Sequence, residues 1–325
     1  MTSPARTPEH QDELLEHRLN QRLGPAHARQ RLGIEREAEA RVLSQDRPSF
    51  RIQNPTSAPG FIRFCLKLVG LHGRGQANSR RLDTAYNHFY LPTLPTNFEG
   101  FRILHLTDLH VDMDEANLQE VIRTISPLDY DLCVLTGDYR KETWGPVEAA
   151  LEGMARLREA IRGPAYAVLG NHDSVRMVPA LEDMGYSLLM NEMVPIEQSG
   201  EHFYLAGVDD PHFYKAHNLH RAGDDIPPGG TSLLLSHTPE IWREAAYAGY
   251  DMFLCGHTHG GQICLPGGIP LTLDADCPRH LGRGYWQAHG MQGYTSPGAG
   301  TSVINVRLNC PPEVTIHTLT RNLSQ

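Results

Sequence analysis

From residue 101 onward, short apolar runs alternate with longer stretches whose apolar residues recur at helical spacing. The run at 101–106 predicts a strand. Leu118, Val121, Ile122 and Ile125 then follow at i, i+3, i+4 and i+7, the stripe of a helix. Runs at 132–135 and 166–169 predict two more buried strands, with a helix over 146–162 between them and another near 175–185. Further strands are predicted at 187–196, 202–208, 231–235 and 251–255, and late ones at 303–306 and 314–317. The stretch 260–295, with Gly261, Gln262, Gly267, Gly268, Trp286 and Gly290, reads as a long loop able to line a pocket. Strands alternating with helices give an α/β architecture. No internal repeat interrupts it.

The first 90 residues follow a different pattern. Residues 1–45 are rich in Glu, Arg and Gln with few apolar anchors, a polar helix. Residues 47–60, rich in Pro, Ser and Asn, read as a linker. In the segment that follows, Phe61, Cys65, Leu68 and Val69 share one helical face while Arg63 and Lys67 lie elsewhere, and Arg74, Arg80 and Arg81 come next. Such a basic amphipathic helix either lies on an anionic membrane surface or packs on the body of the protein. It is too short to span a bilayer. The expected organisation is a polar extension over 1–60, a basic amphipathic segment over 61–90 and a globular body over 91–325. Residues 1–24 lack the apolar core of a secretory signal. The expected location is therefore the cytoplasm, with peripheral contact at the inner face of the membrane through 61–81.

Charge sharpens this division. The chain of 325 residues carries a net −9, but residues 61–90 hold 5 basic residues against 1 acidic, and 91–325 hold 15 against 29. A body this acidic is not expected to bind nucleic acid, whose affinity comes mostly from neutralised phosphates. The six cysteines form no CxxC pair. Cys133 and Cys255 fall inside apolar runs, where a buried free thiol is the expected state, and the pattern suits a reducing compartment.

Five short motifs stand mostly where an apolar run stops: Asp108-Leu109-His110, Gly137-Asp138, Gly170-Asn171-His172-Asp173, Ser236-His237 and Gly256-His257-Thr258-His259. Open α/β sheets bind ligands at such strand ends. Residues two apart along a strand point the same way, so Asp108 and His110 can close on one ion if strand geometry persists, as can His257 and His259. Carboxylate, carboxamide and imidazole donors suit manganese, iron or zinc. The two oxygens of Asp138 suit it to bridge two ions. His172 is left over as a general acid, and Asp173 beside it is placed to orient the imidazole. Gly170, Gly256, Gly260 and Gly261 allow tight turns and close approach.

Other polar residues are read more plainly. His105 is expected to be a core histidine, and Asp209-Asp210 to cap a loop. The spacing of His212, His217 and His220 does not favour a metal cluster. Arg140 is placed to reach a substrate phosphate with its planar fork, or else to form a surface salt bridge. Gly261 and Gln262 are further candidates for substrate contact.

Together the motifs resemble those of the calcineurin-like metallophosphoesterase superfamily, whose pattern is D-x-H, GD, GNH[DE], H and GHxH. The resemblance covers about 101–320 with all five blocks intact. It implies two packed mixed β-sheets flanked by helices, and two divalent metal ions, with manganese expected and iron or zinc as alternatives. One ion would take Asp108, His110, Asp138 and His259; the other would take Asp138, Asn171, His237 and His257. His172 would be the catalytic histidine that binds no metal. The implied reaction is attack of a metal-bound hydroxide on a phosphodiester or pyrophosphate.

The stretches 235–240, 255–262 and 310–313 are similar to a bacterial branch that includes membrane-associated phosphodiesterases and UDP-2,3-diacylglucosamine pyrophosphatase of lipid A synthesis. UDP-diacylglucosamine, a nucleotide-linked lipid, is thus the sharper substrate expectation, and a soluble diester the broader one. A non-catalytic scaffold would be marked by lost ligands, and none is lost. A nuclease or protein phosphatase is disfavoured by the acidic body.

Overall fold

The computed structural model describes residues 8–44 and 58–321. Four helices come first: α1 (Pro8–Leu23), α2 (Pro25–Ser44), α3 (Ala58–Leu68) and α4 (His72–Ser79). Strand β1 (Asp83–Tyr90) is followed by β2 (Arg102–Leu106), α5 (Glu115–Ile125), β3 (Leu132–Leu135), α6 (Glu148–Ala160), β4 (Ala165–Ala167), α7 (Val178–Asp183) and β5 (Ser187–Leu188). The second half contains β6 (Glu192–Gln198), β7 (Glu201–Gly207), α8 (Leu219–Gly223), β8 (Ser232–Leu235), α9 (Trp242–Tyr247) and β9 (Met252–Cys255). The hairpins β10 (Cys264–Leu265)–β11 (Ile269–Pro270) and β12 (Gly284–Ala288)–β13 (Met291–Thr295), then β14 (Glu313–Thr320), complete it.

Two six-stranded mixed sheets result, in the orders β1-β14-β2-β3-β4-β5 and β12-β13-β9-β8-β7-β6. In the first, β2 to β5 run parallel and β14 pairs antiparallel to β2. In the second, β7, β8, β9 and β13 run parallel. The apolar runs are buried on both faces, and alternate residues serve different layers. Leu132 and Val134 of β3, with Leu233 and Leu235 of β8 and Met252 and Leu254 of β9, fill the space between the sheets. Their neighbours Cys133 and Leu135 face outward to α5, α6 and α7, while Leu234 and Phe253 face the outer layer with Trp286. This is the expected architecture of two packed mixed sheets flanked by helices.

Several local expectations differ from the structure. The 303–306 stretch is not a strand: Val303 has a left-handed φ of 66°, and the carbonyls of Ser302 and Ile304 accept bonds from the Gln262 side chain instead of a ladder. The 260–295 stretch is not one long loop, because it holds both late hairpins. Its strands were hidden by composition: Gly293 sits under Trp286, where a Cβ would come within 2.2 Å of the indole. Strand β1, exposed or half-buried at every position but Phe89, shows no apolar run. In α3, Ile62 and Leu66 turn inward onto Ile304, Val306 and Leu308. The outward face is then Phe61, Phe64 and Leu68, while Cys65 is half-buried. The proposed linker falls, up to residue 57, outside the described residues. Cys133 and Cys255 are buried free thiols, as expected.

Candidate metal centre

The loops that leave β2, β3, β4, β8 and β9 at their C-terminal ends bring the motif residues together. Asp108, His110 and His259 place one ligand atom each within 4.8 Å of one another, and Asp138, His237 and His257 form a second such group. All six are buried. Asp138 lies between the groups: its Oδ2 is 3.8 Å from His110 Nε2, and its Oδ1 is 3.4 Å from His237 Nε2. Asn171 joins the second group through Oδ1, 2.9 Å from His237 Nε2.

The local geometry is not a continued strand. Asp108, His110, Asp138, His257 and His259 all have positive φ, between 40° and 69°. Left-handed turns, where Asp and His are more frequent than bulkier residues, converge these side chains, and the strand pleat does not. Close backbone approach does the rest. A Cβ on Gly170 would lie 2.3 Å from Asp138 Oδ1, and one on Gly256 would lie 2.2 Å from Asp108 Oδ2.

Hydrogen bonds fix which imidazole nitrogen faces inward. His110 Nδ1 donates to the Arg140 carbonyl at 2.8 Å, and His237 Nδ1 donates to the Thr136 carbonyl at 2.7 Å, leaving both Nε2 atoms turned to the centre. There His110 Nε2 faces His259 Nε2 at 3.3 Å, and His237 Nε2 faces His257 Nδ1 at 3.1 Å. Paired ring nitrogens facing a carboxylate at such distances offer converging lone pairs, which fits divalent cations. The electrostatics agree. Burial would lower the basicity of His237, but the Asp138 carboxylate overrides it and lifts the pKa to about 10. Burial also pushes Asp108 up to about 6. Burial holds the other histidines down, His110 to about 4 and His257 and His259 well below the usual imidazole range, so their ring nitrogens keep free lone pairs for a cation.

The remaining motif residues take varied places. His172 stands at the edge, its side chain 19% exposed, with Nε2 3.9 Å from Asp138 Oδ2 and its backbone N–H donated to Asp138 Oδ1 at 2.9 Å. Its Nδ1 is buried without a protein partner. Asp173 does not orient that imidazole. Its carboxylate accepts the backbone N–H groups of Asp138, Tyr139 and Gly170 at 2.7–2.9 Å, tying the Gly-Asp loop to the Gly-Asn loop.

Arg140 is neither a phosphate contact nor a surface salt bridge. It is 2% exposed, and its guanidinium donates to the carbonyls of His172, Thr143 and Gly145. Gln262 fastens the 302–304 loop through its amide, so it too is committed to the protein. Gly261, with φ 85°, turns the chain against Pro270.

His105 is a core histidine as expected, 2.9 Å from Thr136 Oγ1 and kept neutral by burial. Asp210 caps its loop by accepting the N–H groups of His212, Phe213 and Tyr214. Of the three histidines at 212, 217 and 220, only His212 reaches the site. Its ring lies 4.3 Å from that of His257, its Nδ1 is 2.9 Å from Glu240, and with Asp274 it groups around His257.

Sequence reasoning missed the braces behind the site. Arg31 of α2 is fully buried. It pairs with Asp209 and Glu35, donates to the Asp173 carbonyl, and packs over the Tyr214 ring. Glu35 accepts from Ser174 Oγ and Val175 N, and His27 contacts Asp209 at 2.7 Å. Spacing alone could not single out the Arg31–Glu35 pair, because the same helix carries a second Glu and Arg four apart, Glu37 and Arg41, whose side chains are exposed. Arg307, also fully buried, donates to the carbonyls of His259, Pro297 and Gly300.

Two mixed sheets carrying paired cation-ligand groups at one end define a class, the metal-dependent hydrolases of phosphoric esters. The family model of the calcineurin-like phosphoesterases matches residues 101–261, and the chain belongs to that family. It is 32% identical over 226 residues to the uncharacterized metallophosphoesterase YkoQ of Bacillus subtilis, across 66% of this chain and 82% of that protein. The Escherichia coli phosphodiesterase YaeI is 29% identical over 246 residues, across 68% of this chain and 82% of that one. A bovine transmembrane protein with a metallophosphoesterase domain is 29% identical over 244 residues, across 68% of this chain and 53% of its own length, so the chain spans about half of it. The protein is thus a hydrolase acting on phosphoric esters, of a family that implies divalent metal ions. Among the described residues no helix is long and apolar enough to cross a membrane.

Proposed function

We propose that this protein hydrolyses a phosphodiester or pyrophosphate bond at the centre formed by Asp108, His110, Asp138, Asn171, His237, His257 and His259. The observation that carries the reading is the pair of converging ligand groups on either side of Asp138, with His172 at their rim. Asp108, His110, Asp138 and His259 would hold one divalent ion, and Asp138, Asn171, His237 and His257 the other; manganese is the proposed metal. When bound, such ions polarise phosphoryl oxygens and acidify water. The protein's own part is positional. Asp138 Oδ1 holds the His172 N–H, Arg140 holds the His172 carbonyl, and the imidazole is thereby set at the mouth to protonate the leaving oxygen.

The sharper form of the reading is a nucleotide-linked lipid such as UDP-2,3-diacylglucosamine. It is supported by the 235–240, 255–262 and 310–313 motifs and by the basic amphipathic helix α3. The test is manganese-dependent hydrolysis of bis-p-nitrophenyl phosphate, p-nitrophenyl phosphate and micellar UDP-diacylglucosamine, wild type beside His172→Ala. We expect the variant to lose about 10²–10⁴-fold in kcat while keeping its metal content. Wild-type activity in the variant refutes the role of His172. Good turnover of the soluble diester with none of the lipid nucleotide retires the lipid form alone.

A further inference from the structure

We propose that helix α3 and the β10–β11 hairpin together form a docking surface for an anionic lipid bilayer. Helix α3 is fastened by one side only, through Ile62 and Leu66. Its other side leaves Phe61 68%, Phe64 62% and Leu68 75% exposed, and Val69 and Leu71 continue the patch beyond the helix. The hairpin rests on the same small core. Ile263 at its base packs there and bridges to Leu308, while Leu265, Ile269 and Leu271 stay outward. Val303, beside core residue Ile304, is exposed as well. Large apolar side chains from three chain segments thus surround one anchor point, and a soluble surface rarely leaves so many together.

Charge selects the occupant. Residues 58–82 contain five Arg and Lys and no acidic residue, in a chain of net charge −9. Arg63, Lys67, Arg74 and Arg81 are exposed, while Arg80 is paired with Asp114. An apolar face rimmed by cations is the composition that inserts shallowly among anionic headgroups. A second copy is the poorer partner, because a two-fold contact would set this basic rim against itself. The docked surface is tied to the metal centre through the chain: five residues separate His259 from Leu265, and the Cys264 N–H is held by the Leu308 carbonyl. Docking would therefore hold the mouth of the site near headgroup depth.

The test is flotation of the full chain with vesicles of phosphatidylcholine alone or mixed with phosphatidylglycerol. Melting curves and hydrolysis of a soluble diester serve as controls for folding. We expect flotation with the anionic vesicles that weakens with salt. The Arg63→Gln/Lys67→Gln double variant should lose about fivefold in partition for each charge removed. The Phe61→Ser/Phe64→Ser/Leu68→Ser variant should lose at least about tenfold, with melting and soluble-diester turnover unchanged. Leu265→Ser/Ile269→Ser should weaken flotation too; unchanged flotation there removes the hairpin from the surface. Wild-type protein that fails to float with either vesicle overturns the proposal. So does a concentration-dependent dimer, seen by sedimentation and abolished by the α3 variants, in a protein that ignores lipid.

Discussion

Asp173 illustrates how a carboxylate beside a proposed catalytic histidine can act without touching the imidazole. It accepts three short backbone N–H bonds from the two loops that carry Asp138 and Asn171. Asp173→Asn would turn one acceptor oxygen into a donor facing N–H groups. Each charged hydrogen bond lost is worth about 1.5–3 kcal/mol, so we expect a fall in stability of that order and a lower kcat. Denaturant melts and steady-state kinetics check both, and a variant as stable and active as wild type would sink the role. At this scale the seven candidate ligands were legible because donor type, order and strand-end position are written in the chain. Arg140 and Gln262 were misread because a guanidinium or amide declares its hydrogen-bonding capacity and not its partners. Here the partners are backbone carbonyls brought close by folding.

Helix α2 departs furthest from what its composition suggests. Its polar composition suggested a solvated helix, yet Arg31, Glu35 and His27 are buried against the loops after β4 and β7. Truncating Arg31 leaves the Asp209 carboxylate buried without the guanidinium it faces, and breaking such a pair typically costs about 3–5 kcal/mol. We expect Arg31→Ala to melt earlier and to lower kcat more than it raises KM, because the Asp173 carbonyl loses its tether.

The pH response has a definite sign. Burial works against ionised Asp209, but Arg31 and then His27 outweigh it and depress its pKa below the carboxylate norm. That stabilisation is fully present above the unfolded value, about 4, and is lost as pH falls through the lower folded value. Acid titration of stability in wild type and Asp209→Asn should therefore differ above pH of about 4 and converge in stronger acid; parallel curves would argue against the pairing. The strands of both sheets were legible where they formed apolar runs. The β12–β13 hairpin was not, since Gly293 under Trp286 makes packing without an apolar run.

At the scale of the whole molecule, the two sheets are held apart by one core and meet in function only at their loop ends. The candidate ligands come from both: Asp108, Asp138 and Asn171 follow strands of the first sheet, and His237, His257 and His259 follow strands of the second. A cation bound across them should therefore stabilise the native state as a whole. At an ion concentration 100 times Kd the gain is about 2.7 kcal/mol. We expect chelation to abolish hydrolysis and lower Tm, manganese to restore both, and Asp138→Ala to show little metal-dependent shift in Tm. Equal Tm with and without metal in wild type would count against a site shared between the sheets.

The sequence by itself determined the chemistry of the centre, since side-chain identity and order carry the donor atoms, and it determined the layered α/β plan, since burial on two faces requires continuous apolar runs. How those donors converge is set by the fold. The left-handed turns at Asp108, His110, Asp138, His257 and His259 are conformations held by long-range bonds such as His110 N to the Asp138 carbonyl. It also decided that α2 braces the site and that α3 shows its phenylalanines to the outside. Both depend on which face of a helix meets its neighbour, and local periodicity does not encode the neighbour.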